Sequence, residues 1–378
     1  MRPMRYALIL AGGSGTRLWP LSRDELPKQL IPAVEGRSLL EEAYLRLEGV
    51  VPEERRFVCA AERHRAAILR QLPRLGEARL DRIGQGGIDR FIGEPEGRDT
   101  LAAIAFSCAL VAREDPSATV GVFTSDHVIR PREGFRESAC RAYALAESEL
   151  SPLVTFGVAP DRPATGFGYL ELGEAFGAGI ARRVARFREK PDAATATAFL
   201  AAGPGRYLWN SGMFFWKAGR FLELVGRYEP ELRGAIGDIA AAAGSPEYGA
   251  RLADAYPRLR KISVDYGIME PASQDPEVVI AAIPLGGEWR DIGSWSAYGS
   301  LLAADASGNA SSGTVTFEDC ADSLAVSSEE GHLVACLGCE GMVVVHTPDA
   351  TLVCPRKRAD ELKKLYARVS ALDGGRYR

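Results

Sequence analysis

Short apolar runs alternate with helix-like stretches along the first part of this chain, and that alternation restricts the fold more than any other feature. Residues 6–10, 57–60 and 119–123 are short and apolar, as buried strands are, whereas residues 39–47, 63–72 and 100–113 have helical character. Strands separated by helices build a mainly parallel sheet, and the ligands of such sheets gather at the carboxyl ends of the strands. The texture changes near residue 309. Residues 313–317, 323–326, 333–336 and 342–346 are β-rich runs with polar or glycine turns and no intervening helix. Leu362, Leu365, Val369 and Leu372 then recur at helical spacing, which predicts a terminal amphipathic helix over residues 359–372 packed against the body. The expectation is an α/β fold, a Rossmann-like mixed, mainly parallel sheet flanked by helices over residues 1–300. A small β-rich C-terminal domain with the terminal helix follows over residues 301–378.

Composition narrows the function classes. The 378 residues, 46% of them hydrophobic and 25% charged, suffice for one large domain and a smaller one. A formal net charge of -4 argues against a general nucleic-acid binder, which needs a basic surface, so an anionic ligand has to be met by local charges. Residues 6–10 are too short for a signal-peptide core and run into glycines, and residues 101–112 are interrupted by Ser107 and Cys108. A membrane helix needs roughly twenty apolar residues, so no membrane segment is expected. Seven scattered cysteines, an odd count, fit a reducing cytoplasm better than a disulfide framework. The lone pair Cys336 and Cys339 lies among strand-like valines and reads as structural, since no second pair stands at zinc-site spacing.

Directly after the first strand, residues 10–23 read LAGGSGTRLWPLSR. Glycines allow close approach of the backbone to a phosphate, and Arg17 supplies a fork of charged donors, so the turn suits a nucleoside triphosphate. A P-loop would require Lys-Ser/Thr after its second glycine, and a dinucleotide fingerprint would require glycine where Leu18 stands, so neither motif applies. A nucleoside triphosphate is commonly met with an oxygen-liganded cation, typically held by one or two carboxylates. Asp126 in TSDHVI follows an apolar strand, and Asp291 in WRDIGSW follows a second apolar run and a glycine turn. His127 is read as a hydrogen-bonding residue, neither base nor zinc ligand, since the other three histidines show no ligand spacing with it.

The segment GGSGTRLWPLSR, followed by LPKQL at residues 26–30, resembles the signature of the sugar-1-phosphate nucleotidylyltransferases, and the resemblance extends over most of the chain. PATGFGYLE at residues 163–171, FREKP at 187–191, WNSGMF at 209–214 and SVDYGIME at 263–270 match the family in order. With WRDIGSW and the closing EGMVVVHTPDATLVCPR, they point to its mannose-1-phosphate guanylyltransferase branch, without the isomerase domain of longer bifunctional relatives. The resemblance implies a nucleotide-diphospho-sugar transferase fold, with nucleotide contacts at Leu10, Ala11, Gly12, Gly13, Gly15, Thr16, Arg98 and Thr100. It implies Arg17 and Lys28 over the phosphates, and Mg2+ between Asp126 and Asp291. Gly168, Glu189, Asn210 and Asp265 would contact the sugar and Lys190 its phosphate. Asp99 stands where the family commonly has asparagine; an ionised aspartate only accepts, so the base preference is the property this departure touches.

The expected reaction is in-line attack by mannose 1-phosphate on the α-phosphorus of GTP, giving GDP-mannose and pyrophosphate without a covalent enzyme intermediate. The resemblance also implies a homodimer and a part in polysaccharide biosynthesis, beside the cytoplasmic location read from the cysteines. Two other readings stand beside it: a synthase for another pair, such as UDP- or dTDP-glucose, and a catalytically silent nucleotide-sugar sensor. Retention of Arg17, Lys28, Asp126 and Asp291 speaks against the second.

Overall fold

The computed structural model describes residues 4–13, 15–77, 79–80, 87–177 and 179–378, so Ser14 of the glycine-rich motif lies outside it. The chain packs as two compact units whose segments interleave. The first comprises Met1–Gly12, Tyr44–Thr124 and Ile129–Trp289; the second comprises Gly13–Ala43, Ser125–Val128 and Arg290–Arg378. The stretches Gly13–Ala43 and Ser125–Val128 therefore share a unit with the C-terminal part, although both precede residue 300.

The first unit is built on a nine-stranded sheet. Its strands are β1 (Arg5–Leu10), β2 (Arg56–Ala61), β3 (Phe91–Glu94), β4 (Thr119–Thr124), β5 (Leu153–Val158), β6 (Tyr169–Ala175), β7 (Arg182–Arg188), β8 (Tyr207–Lys217) and β9 (Ile280–Pro284). They lie in the order β5-β9-β7-β6-β8-β4-β1-β2-β3. The β4-β1-β2-β3 part is parallel, β5 also runs parallel to β9, and β8 enters antiparallel beside β4. Side chains alternate across a strand, so neighbouring residues serve opposite faces. Tyr6, Phe57, Val122, Phe214 and Trp216 join one core with helices α1 (Asp99–Glu114), α4 (Ala218–Tyr228) and α5 (Pro230–Ala241). Phe123, Phe156 and Phe215 turn the other way and meet Phe135 and Tyr143 of α2 (Arg132–Ala146) edge to face. Every residue of α1 from Leu101 to Val111 is buried, the pattern of a helix enclosed by its neighbours. Helix α3 (Ala193–Ala202) starts on Asp192, whose carboxylate accepts from the Thr195 amide at 2.8 Å, and stops at Gly203, whose φ is 81°.

In the second unit the four expected β-rich runs appear as β11 (Val315–Glu318), β12 (Leu324–Ser327), β13 (Val334–Leu337) and β14 (Met342–Thr347), and two strands the sequence reading did not mark, β10 (Ala310–Ser312) and β15 (Ala350–Pro355), join them. They do not pair as successive hairpins. β10 pairs with β12, β11 with β13 and β12 with β14, all in parallel, and only β14 and β15 close antiparallel. Parallel pairing of alternate strands winds the chain into stacked coils that bury Leu324, Val326, Val343 and Val345 with Trp19, Trp295 and Tyr298. The terminal helix spans Leu362–Val369, shorter than its periodicity predicts. Leu362 is buried and Val369 packs against the same core, but Leu365 and Leu372 are 41% and 56% exposed, so only half of the expected apolar stripe is covered.

Candidate active site

β1 and β4 end side by side, Leu10 opposite Thr124. The Ala11 amide continues the sheet by donating to the Cys59 carbonyl at 2.8 Å, which commits it within the protein, while Gly12 and Gly13 beyond it are exposed. The turn then tightens at Gly15, whose φ of 61° is left-handed and whose carbonyl accepts from the Ser22 hydroxyl at 2.6 Å and the Leu18 amide at 2.8 Å. A Cβ at Gly15 would lie 2.7 Å from the Lys28 Cβ, so close approach of these two backbones requires glycine. A short 3-10 turn over Thr16–Leu18 buries Leu18 and leaves Thr16 and Arg17 half-buried.

Within the second unit, Lys28, Asp126, His127, Asp291 and Arg17 form one charged cluster. Lys28 Nζ donates to Asp126 Oδ2. His127 Nε2 lies 3.8 Å from Asp126 Oδ1 and 3.9 Å from Asp291 Oδ1. One oxygen of each aspartate and a His127 nitrogen all lie within 4.8 Å of one another, close enough to share a cation. The Ile292 amide donates to the Asp126 carbonyl at 3.0 Å, which fixes the two aspartate segments together. The Arg17 guanidinium shares this neighbourhood, since a Cβ on Gly293 would lie 3.1 Å from Arg17 Nη2 and 3.4 Å from Asp291 Oδ1. Burial works against the charge on Asp126, but Lys28, then His127, outweighs it and holds the carboxyl well below its usual range. Burial likewise opposes the Lys28 charge, and Asp126 and Asp291 reverse this and raise it. His127, a hydrogen-bonding residue by its sequence context, joins the group of donor atoms around the two aspartates.

A second polar cluster belongs to the first unit. Asn210 on β8 donates through Nδ2 to Asp265 Oδ1 at 3.0 Å, and its own Oδ1 accepts from the Thr155 hydroxyl at 2.8 Å. These bonds fix the amide with its nitrogen toward the carboxylate. The Asn210 amide nitrogen of the backbone donates to the Gly168 carbonyl at 2.8 Å. A Cβ on Gly168 would lie 2.5 Å from Glu189 Oε2, so a bare backbone is needed beside that buried carboxylate. Lys190 holds Glu189 at 2.9 Å and is itself half exposed, in a left-handed conformation with φ 42°. Asp265 opens a short π-helical turn over Asp265–Met269, and burial, followed by the Glu189 charge, pushes its carboxyl up to about 7. Gly168, Glu189, Lys190, Asn210 and Asp265 are thus gathered from four separate segments. Thr155 is the member the sequence analysis missed; it lies mid-strand with no motif to mark it.

Arg98 and Thr100 lie at the start of α1. The Thr100 hydroxyl accepts from the Val264 amide at 2.9 Å, and the Leu101 amide donates to the Ile262 carbonyl at 3.2 Å, so this segment braces the turn that carries Asp265. Arg98 pairs with Glu96 at 3.1 Å, and its buried Nε has no hydrogen-bond partner among the described residues, which leaves a donor for a ligand. Asp99, the first residue of α1, is left-handed at φ 63°, and its carboxylate accepts from the Thr100 amide at 2.8 Å.

A helix-covered sheet with a glycine-rich turn, two neighbouring carboxylates and a separate polar cluster defines a nucleotidyltransferase. In agreement, the Nucleotidyl transferase family model matches residues 6–308, and the MannoseP isomerase/GMP-like beta-helix domain model matches residues 319–369. The chain is 39% identical over 372 residues to the xanthan biosynthesis protein XanB of Xanthomonas campestris pv. campestris, an alignment covering 96% of this chain and 73% of that protein. It is 36% identical over 374 residues to mannose-1-phosphate guanylyltransferase of Escherichia coli, covering 97% and 73%. The crystal structure of a Thermus thermophilus protein named mannose-1-phosphate geranyltransferase superposes with a TM-score of 0.82 at 31% identity, covering 98% of this chain and 100% of that one. The chain belongs to the mannose-1-phosphate guanylyltransferase family of nucleotidyltransferases. Among the described residues, no helix is long and apolar enough to cross a membrane.

Proposed function

We propose that this enzyme transfers GMP from GTP to mannose 1-phosphate, forming GDP-mannose and pyrophosphate. A phosphate oxygen of mannose 1-phosphate attacks the α-phosphorus of GTP; a new P–O bond forms as the α–β bridge breaks, and its electron pair leaves with pyrophosphate. The sugar phosphate enters already ionised, so no general base is required.

The observation that carries this reading is the pairing of Lys28 with Asp126 beside Asp291, His127 and Arg17. Arg17 and Lys28 neutralise phosphate charge, and the exposed Gly12 and Gly13 let backbone amides approach the triphosphate. Two hard carboxylate oxygens are the donor set that magnesium prefers, so Asp126 and Asp291 fit Mg2+, with the His127 ring beside them. Held by these residues, the cation would neutralise the charge that builds up between the two anionic substrates. Lys28, paired with Asp126, presents its ammonium to the phosphates beside these carboxylates. Arg98 and Thr100 belong to the nucleotide side of the reaction, together with Leu10 and Ala11, whose backbone supports the turn. In the sugar cluster, Asn210, Asp265 and Glu189 read hydroxyl groups, Gly168 supplies a bare backbone and Lys190 takes the sugar phosphate.

The test is pyrophosphate release with Mg2+, crossing GTP, UTP, dTTP and ATP against mannose 1-phosphate and glucose 1-phosphate. Release confined to GTP with mannose 1-phosphate is expected. Preference for another pair would keep the chemistry and replace the substrates; no release from any pair would leave a nucleotide-sugar sensor.

A further inference from the structure

Two of the four histidines meet in the C-terminal coils, His332 outside every motif and His346 within the closing EGMVVVHTPDATLVCPR segment. β12 ends at Ser327, and the turn that follows is closed by a hydrogen bond from the His332 amide to the Glu329 carbonyl at 3.3 Å, which places Glu329 and His332 three residues apart on one turn. His346 lies on β14, opposite Ser327 of β12 and Thr351 of β15, and its carbonyl accepts from the Ser328 amide at 3.0 Å. The two imidazoles stack with centroids 3.6 Å apart and planes 12° from parallel. His346 Nε2 is 3.1 Å from Glu329 Oε2, and His346 Nδ1 is 3.0 Å from Thr351 Oγ1. One donor atom from each of Glu329, His332 and His346 lies within 4.8 Å of the other two.

We infer that Glu329, His332 and His346 form a binding site for a divalent transition-metal ion, with zinc as the cation that suits it. Two imidazoles and one carboxylate are the protein ligand set of open zinc sites, and imidazole nitrogen selects against magnesium and calcium. Thr351 occupies the second ring nitrogen of His346, the outer contact that orients a metal-binding imidazole and fixes its tautomer. Hydrogen bonding alone accounts for His346. It does not account for His332, whose ring nitrogens have no partner among the described residues although the ring is held face to face with His346. The ligands come from a turn and from a neighbouring strand, so the ion would pin residues 328–333 to β14. A fourth coordination position would remain for water. None of the three residues takes part in the reaction proposed above.

The experiment is calorimetric titration of the full chain with ZnCl2 in excess MgCl2, with thermal melts of metal-free protein as the control for folding. Wild type and the Asp126→Asn/Asp291→Asn protein are expected to bind a single zinc ion per chain and to melt at a higher temperature with zinc than without. His332→Ala and His346→Ala should each weaken binding by about a hundredfold, and Thr351→Val by roughly tenfold, with the rate of pyrophosphate release unchanged in His332→Ala. Absence of zinc binding in wild type would overturn the assignment. So would wild-type affinity in both histidine variants, or loss of binding only in the Asp126→Asn/Asp291→Asn protein. Should His346→Ala melt early without metal, His332→Ala, whose ring has no hydrogen bond to lose, decides the question.

Discussion

The Lys28 ammonium donates a hydrogen bond to the Asp126 carboxylate, joining the glycine-rich segment to a residue 98 positions further along the chain. Each charge keeps the other ionised against burial. An Asp126 carboxyl depressed on folding stabilises the protein above its ordinary 3.8 and loses that contribution as pH falls through the folded value. Lys28→Met removes the main counter-charge, so the Asp126 carboxyl should rise. The melting temperature of the variant, measured relative to wild type, is then expected to fall as pH is raised from about 4 toward neutral. A difference that stays flat over that range would show that His127 alone suffices.

Asp126→Asn and Asp291→Asn keep the shape of each side chain and remove its charge. Both variants should fold, and each should lose about a hundredfold or more of its rate of pyrophosphate release, the scale on which a single electrostatic contact to the transition state acts. Raising Mg2+ should recover part of that loss if the residue holds the cation. Full activity in either variant would end its assignment as a metal ligand.

Gly15→Ala tests the turn itself. Its left-handed φ of 61° strains any residue with a Cβ, and that atom would meet the Lys28 Cβ at 2.7 Å. A loss of about 1–3 kcal/mol in unfolding free energy is expected from the strain and the contact together. Because the displaced residue is Lys28, kcat/KM should fall by about tenfold beyond what unfolded protein accounts for. An unchanged denaturation midpoint would contradict the geometry.

Asp265 carries a carboxyl raised from its ordinary 3.8 to about 7, by burial first and the Glu189 charge second. Such a group holds its proton in the folded state after the unfolded chain has released it, so stability falls as pH rises between those two values. Asp265→Asn should flatten that part of the stability curve and leave the protein relatively more stable at pH 8 than at pH 5. The same variant should raise KM for the sugar phosphate more than it lowers kcat if the residue reads a hydroxyl group. A pH profile identical to wild type would remove the titration from Asp265.

Local signals carried the sequence analysis a long way. Residues 119–123 and 100–113 have the apolar content of a strand and a helix, and the structure has Thr119–Thr124 and Asp99–Glu114 there, because a nearly continuous apolar run is buried on all sides in either element and its length distinguishes the two. The motif residues of the cluster around Asn210 and Asp265 were also visible, since each lies in a short contiguous segment. Thr155 was not, because a threonine inside an apolar strand looks the same whether or not its hydroxyl orients an asparagine 55 residues away.

The sequence by itself determined the alternation of strands and helices, the glycine turn after β1 and the family, since these depend on residue type and local spacing. Only the tertiary structure decided that Gly13–Ala43 and Ser125–Val128 pack with the C-terminal coils. It also decided that β12 pairs in parallel with β10 and β14, that Leu365 and Leu372 face solvent, and that His332 stacks on His346. Hydrophobic periodicity states that a face will be buried, but the partner that covers it is chosen by packing between segments far apart in the chain.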